Sequence, residues 1–449
     1  MTNYTFPHDF LWGAATASYQ IEGGVFEGGR GATVWDVFSD TAGKVKNGDS
    51  GEVACDHYHR YPEDVALMKQ LGLHAYRFSI AWARILPEGT GTINPAGLDF
   101  YDKLVDTLLA NGIRPFGTLY HWDLPQALED KGGWANKHIV DWFGEYVDAI
   151  TKRLGDRVKD WMTLNEPWVF TYLGYAIGVH APGHQDLNLY LRASHHSIMA
   201  HARAVSLVRA NVADSEVGIV LNPAWADPYS DSLQDYLAIQ RQLSFQNRWW
   251  LHPLYHGEYS ADMMALYGDR MNFMVSSDFD ELKANPSDFL GVNFYTRQVI
   301  QASPYSTDND LKLTTIRQNR EHTEMDWEVS PEAIYNVLKH IHDEYAPAKM
   351  YITENGAAFN DVVTGDSVHD ERRVAFYQHY LANCHRAIAD GIPLKGYFAW
   401  SLLDNFEWAE GYSKRFGIIH VDYATQRRII KDSGKWYAQT IRNNGFMLP

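Results

Sequence analysis

The chain is predicted to be an α/β protein closed as a single-domain (β/α)8 barrel, with its site at the C-terminal face of the strands. Three observations predict this: eight short apolar runs, an amphipathic stretch after each, and no glycine-rich phosphate turn after the first run. The runs are Leu11–Thr16, Ala75–Ile80, Pro115–Tyr120, Trp161–Asn165, Val217–Asn222, Phe289–Tyr295, Met350–Thr353 and Gly396–Ser401. Their lengths suit strands buried on both faces. Between and after them lie helical patterns at Pro62–Leu71, Gly97–Ala110, Val140–Leu154, Leu187–Ala210, Leu233–Trp250, Pro331–His342, Glu371–Ala389 and Gly434–Arg442. Pro62 and Pro331 suit first helical turns, and Ser330 is the better of the residues preceding them as a cap. The competing topology, an open doubly wound sheet, usually carries G-x-G-x-x-G after its first strand. Ser18-Tyr19-Gln20-Ile21-Glu22-Gly23-Gly24 stands there instead.

Two connections, Glu27–Asp56 and Arg297–Val329, exceed what a simple turn needs. Both follow strands and are expected to rise from the C-terminal face as binding loops. Neither an internal repeat nor a Pro/Ser linker interrupts the chain, so residues 1–449 read as one domain.

A formal net charge of −17 argues against a phosphate-binding surface and hence against a nucleic-acid partner. Only Cys55 and Cys384 are present, too few for a disulfide framework. The N-terminus lacks a basic start and apolar core, and no run approaches ~18 apolar residues. A cytoplasmic location without a membrane partner is therefore expected. The outer helices declare no subunit interface, which leaves a homo-oligomer open. Aromatic content of 14%, with 15 Trp and 27 Tyr, leans towards carbohydrate, because aromatic faces pack on sugar C–H faces. A large aromatic core explains much of the same content.

Two segments carry chemistry. Thr163-Leu164-Asn165-Glu166-Pro167 and Ile352-Thr353-Glu354-Asn355-Gly356 each place a glutamate where a strand breaks into a turn. Alone, either would read as a helix cap. Together, at the ends of two barrel strands, they supply the paired carboxylates of glycosidic bond hydrolysis. Polar residues end other strands too: Gln20, Arg77, His121-Trp122-Asp123, Asn293-Phe294-Tyr295 and Asp404-Asn405-Phe406-Glu407-Trp408. His57-Tyr58-His59 and His195-His196 lack H-E-x-x-H spacing and a third ligand, so neither metal nor cofactor is expected.

These motifs, with the opening Phe10-Leu11-Trp12-Gly13-Ala14-Ala15-Thr16-Ala17-Ser18-Tyr19-Gln20-Ile21-Glu22-Gly23, resemble the signatures of glycoside hydrolase family 1 over essentially the whole chain. The resemblance implies a retaining β-glucosidase with Glu166 as acid/base and Glu354 as nucleophile. It implies supporting roles for Arg77, Asn165 and Tyr295. Gln20, His121, Trp122, Asn165, Trp400, Glu407 and Trp408 match glycone-binding positions, and Trp168, His180 and Trp327 fall on the aglycone side. The substrate class implied is a small β-glucoside, cellobiose-like or aryl, with β-galactosides and β-fucosides also accepted. One alternative is a 6-phospho-β-glucosidase. Its phospho-specific family members carry serine at the position of Glu407 and a lysine and tyrosine further on; this chain has Lys414, expected to help hold a phosphate, but Phe416, and the Glu407 carboxylate is expected to repel one. The other is a non-catalytic sugar-binding barrel, which typically loses one of the two glutamates.

Overall fold

The computed structural model describes residues 2–305 and 311–448. Eight parallel strands close into a barrel: β1 (Leu11–Ala15), β2 (Ala75–Ser79), β3 (Arg114–Tyr120), β4 (Asp160–Asn165), β5 (Glu216–Leu221), β6 (Phe289–Asn293), β7 (Met350–Asn355) and β8 (Leu394–Trp400). Each strand pairs with its neighbours in sequence, and β8 closes on β1. All eight coincide with the predicted runs.

Around them run α1 (His57–Leu71), α2 (Pro95–Ala110), α3 (Ile139–Leu154), α4 (Leu187–Asn211), α5 (Leu233–Leu243), α6 (Glu332–Tyr345), α7 (Glu371–Ala389) and α8 (Asp432–Asn443). Their stripes explain why they form. In α3, Ile139, Phe143, Tyr146, Val147, Ile150 and Leu154 recur at helical spacing and are all buried. One continuous core links Phe6 near the start to Phe446 near the end. Beneath the barrel, Thr2–Thr5 pairs antiparallel with Gly445–Leu448.

Three local expectations need correction. α1 begins five residues before Pro62, which lies inside the helix, because Asp56 in a left-handed conformation turns the chain into it. Pro331, not Ser330, occupies the N-cap of α6, and no side chain caps it. The stretch 233–250 is not one regular helix: Ser244–Arg248 forms a π-turn before a second helix, Trp249–His256. That turn aims Asn247 at Ala224, whose N–H and C=O it holds at 2.7 and 2.9 Å.

Register sets the height of the functional side chains. Ala15 lies beside both Trp400 and Arg77, and Glu354 lies beside Asn293 after an irregularity in β7. Gly13 is required where it stands, since a Cβ there would meet the Phe398 ring at 2.5 Å. Gly356, just past Glu354, is required more strictly: a Cβ would fall 1.7 Å from the Trp400 carbonyl oxygen.

Candidate active site

Glu354, at the end of β7, is 3% exposed. Arg77 Nη1 on β2 donates to its Oε1 at 2.5 Å, and the Tyr295 hydroxyl, beyond β6, donates to Oε2 at 2.6 Å. Arg77 is itself fully buried and fixed inside the barrel. Its Nε donates to Thr118 Oγ1 at 3.2 Å, and its Nη2 donates to Asn165 Oδ1 at 2.6 Å.

Glu166 follows β4 with φ 46°, a left-handed conformation that a non-glycine residue adopts only at some cost. Trp122 and Trp408 share that feature, at φ 79° and 50°. Asn293 Nδ2 donates to Glu166 Oε1 at 2.5 Å and to Asn165 Oδ1 at 3.0 Å. Its own Oδ1 accepts from Thr353 Oγ1 at 2.7 Å. An unbroken chain, Glu354–Arg77–Asn165–Asn293–Glu166, thus joins the two carboxyl groups.

Their electrostatics differ. Burial and the charge of Glu354 push Glu166 up to about 8, against the opposing influence of Asn293 and Arg77. Burial also raises Glu354, but Arg77 and the Tyr295 and Asn293 hydrogen bonds oppose it. The ionised form is favoured on Glu354, where the guanidinium sits, and the proton on Glu166.

The sugar-recognition candidates surround this pair. Gln20, in the short helical turn after β1, donates Nε2 to Asn405 Oδ1 at 3.1 Å and Glu407 Oε2 at 3.4 Å. Asn165 Nδ2 donates to His121 Nε2 at 3.0 Å, which requires a neutral ring; burial and Arg77 hold His121 well below the usual imidazole range. Trp122 donates its indole N–H to the Asn165 carbonyl at 2.9 Å. Trp400 stacks on His121 with centroids 5.9 Å apart, and Trp408 lies 4.5 Å from Trp122. Glu407 is pushed up to about 8 by burial and by the charge of Glu354.

A cavity of about 470 Å³ opens above these residues. Trp122, Glu166, Tyr295, Glu407 and Trp408 line it, together with Trp168, His180 and Trp327. Trp327 packs on Tyr295 at 5.2 Å, and burial lowers His180 to about 4. Two sequence expectations fail here. The 27–56 loop supplies no described lining residue; its Trp35 is buried behind Trp408, 4.7 Å away. Lys414 does not line the cavity either; its ammonium is taken by the Glu324 carbonyl and faces the cavity-lining Glu410 at 3.9 Å. Asn293, named only as a strand-end residue in the sequence, belongs at the centre. Its position opposite Glu354 depends on the register of β6 and β7, which sequence alone does not reveal.

The paired histidines have ordinary partners. His57 bonds Asp64 at 2.7 Å, His195 bonds Asp278 at 3.0 Å, and His196 bonds the Trp134 carbonyl at 2.9 Å. Among the described residues, no group of three His, Cys, Asp or Glu side chains is arranged to hold a metal ion.

A barrel with two glutamates so placed is the architecture of a glycoside hydrolase, and the chain belongs to glycosyl hydrolase family 1, whose family model matches residues 2–446. It is 50% identical to β-glucosidase A of Thermotoga maritima over 98% of both chains. It is also 50% identical to a 1,4-β-D-glucan glucohydrolase of Thermotoga neapolitana, covering 98% of this chain and 99% of that one. Among solved structures, a T. maritima β-glucosidase in complex with deoxynojirimycin superposes with a TM-score of 0.96 at 49% identity, covering 99% of this chain and 100% of that one.

Proposed function

We propose that the chain is a retaining β-glucosidase, with Glu354 as nucleophile and Glu166 as acid/base. The observation that carries this reading is the asymmetry of the two carboxyl groups: Arg77 and Tyr295 hold Glu354 from opposite oxygens, while among the described residues the Glu166 carboxyl bonds Asn293 alone. Glu354 Oε attacks the anomeric carbon as the glycosidic C–O bond breaks, and the Glu166 proton passes to the leaving oxygen. The product is a glucosyl ester of Glu354. Water then attacks the same carbon, gives its proton to Glu166, and frees the Glu354 carboxylate. Retention in this way needs carboxyl groups about 5–5.5 Å apart, and the hydrogen bonding of the one Asn293 amide to both Glu166 and Glu354 supports a short separation.

The glycone rests on Trp400. Asn165 contacts the 2-hydroxyl, and Gln20, His121, Trp122, Glu407 and Trp408 read the remaining hydroxyls. Among the described residues, Gln20 Oε1 and His121 Nδ1 have no hydrogen-bond partner, as expected of groups reserved for a ligand. Trp168, His180 and Trp327 hold the leaving group, a second glucose or an aryl ring. The names of the relatives, a β-glucosidase and a glucan glucohydrolase, support cellobiose-like substrates. The 6-phosphate alternative is weakened by the engagement of Lys414 elsewhere, and the non-catalytic alternative by the presence of both glutamates.

The reading extends to one catalytic domain working in the cytoplasm on small β-glycosides, without nucleic-acid or membrane partners. Cys55 and Cys384, both buried free thiols, support a reducing compartment. Among the described residues no helix is long and apolar enough to cross a membrane. The test is hydrolysis of 4-nitrophenyl β-glucoside followed by NMR: β-glucose must appear first. An initial α-anomer, or no hydrolysis, overturns the proposal.

A further inference from the structure

We propose that Lys431 is a positioning residue for sugar recognition, the centre of a buried ion network that holds the Asp404–Trp408 segment in register with the end of β7. The proposal rests on the reading of Glu407 as a glycone-binding group.

Lys431 lies just before α8 with its side chain wholly out of water, where an ammonium persists only against facing carboxylates. It donates to Asp361 Oδ2 at 2.5 Å and to Asp404 Oδ1 at 2.6 Å. These aspartates belong to different loops, one after β7 and the other after β8. Arg373 on α7 donates to both Asp361 oxygens at 2.9 and 3.0 Å. Its Nε also donates to the carbonyl of Ala357, three residues beyond Glu354, at 3.0 Å. Asp404 Oδ2 accepts from Arg415 at 2.7 Å, and Asp370 completes the set against Arg373 at 2.5 Å. Three cations thus meet three carboxylates, and the Asp side chains are 0–1% exposed.

The network reaches the sugar readers by one covalent step. Asn405 follows Asp404, its Oδ1 accepts from Gln20, and Gln20 also reaches Glu407. Asn405 Nδ2 meanwhile donates to Ser401 Oγ at 2.9 Å, which ties the segment back to the end of β8. No member of the network bonds Glu166 or Glu354. Its effect on sugar selection therefore passes through where Glu407 and Gln20 stand. Apolar packing of equal volume would often be as stable, whereas charge pairs with fixed geometry set one relative position of the two loops.

The test compares 4-nitrophenyl β-glucoside with 4-nitrophenyl β-xyloside, which lacks the hydroxymethyl group. Lys431→Met should lower the glucoside/xyloside ratio of kcat/KM by about tenfold, the value of one well-placed hydrogen bond. Arg415→Met, at the half-buried edge of the network, should lower it by about threefold, on the same scale. Should Lys431→Met not yield folded protein by circular dichroism, Arg415→Met decides alone. Glu407→Ala serves as the reference. If it shifts the ratio while the folded network variants leave it unchanged, or lower both substrates equally, the network proposal is overturned and the reading of Glu407 stands. If Glu407→Ala leaves the ratio unchanged, the reading and the proposal fall together.

Discussion

Asn293 donates its side-chain amide to Glu166 Oε1 at 2.5 Å, while lying opposite Glu354 in the pairing of β6 with β7. A single amide therefore stands between the groups assigned as acid and nucleophile. Because its hydrogen bond favours the ionised form of Glu166, it restrains the rise that burial imposes.

Replacing Asn293 with Ala should move the alkaline limb of the kcat/KM profile to higher pH, since the protonated acid then persists further. The rate at the optimum should fall by about 10–100-fold through lost positioning of Glu166 and Asn165. A limb that moves to lower pH would contradict the role given to this amide.

Because burial and the charge of Glu354 push Glu166 up to about 8, activity should decline as pH rises through that value. In Glu166→Ala the Glu166 part of this limb should vanish, leaving only what Glu407 contributes. The loss of kcat/KM should be about 10²–10⁴-fold for alkyl glucosides and far less for dinitrophenyl glucoside, whose leaving group needs little protonation. Equal losses for both substrates would mean that Glu166 positions the sugar and delivers no proton.

Tyr295→Phe removes the hydrogen bond to Glu354 Oε2 that favours its carboxylate. The acidic limb should move to higher pH, and deglycosylation should slow because the departing carboxylate is less stabilised. A burst of nitrophenol of one equivalent in stopped flow is the expected sign. Unchanged limbs and no burst would reduce Tyr295 to packing.

The eight strands were legible because a residue buried on both faces leaves a continuous apolar run, and the two glutamates because each follows such a run directly. What escaped were properties of register and tertiary contact. Pro62 looked like a helix start, yet α1 begins at His57. Lys414 looked available for a phosphate, yet the 324 carbonyl takes its ammonium. The 27–56 loop is long enough to bind, but Trp35 spends its ring behind Trp408. Asn293 is one of several polar strand ends, and only the pairing of β6 with β7 singles it out.

Glu166 and Glu407 also set the pH dependence of stability. Burial and the charge of Glu354 push both up to about 8 in the folded chain, well above the ordinary carboxylate range. Their neutral forms contribute stability that is complete below pH ~4.5 and lost as pH rises through ~8. Glu407→Gln should therefore narrow the difference in Tm between pH 5 and pH 8.5. For sugar selection, Glu407→Ser should cost glucosides about 10–100-fold in kcat/KM, two hydrogen bonds at roughly 1 kcal/mol each. It should help 6-phosphoglucosides little, because Lys414 is engaged elsewhere. A parent enzyme that already prefers the phosphorylated sugar would overturn the substrate assignment.

The nucleophile is the centre of the account, and Glu354→Ala with added azide tests it most directly. The variant should keep its fold and lose nearly all turnover of dinitrophenyl β-glucoside. Azide should then restore release of the phenol and yield α-glucosyl azide, because the small anion enters from the face that Glu354 has vacated. NMR of the product reads the configuration at the anomeric carbon. Parent-like turnover without azide, or a β-glucosyl azide, would contradict the assignment of Glu354.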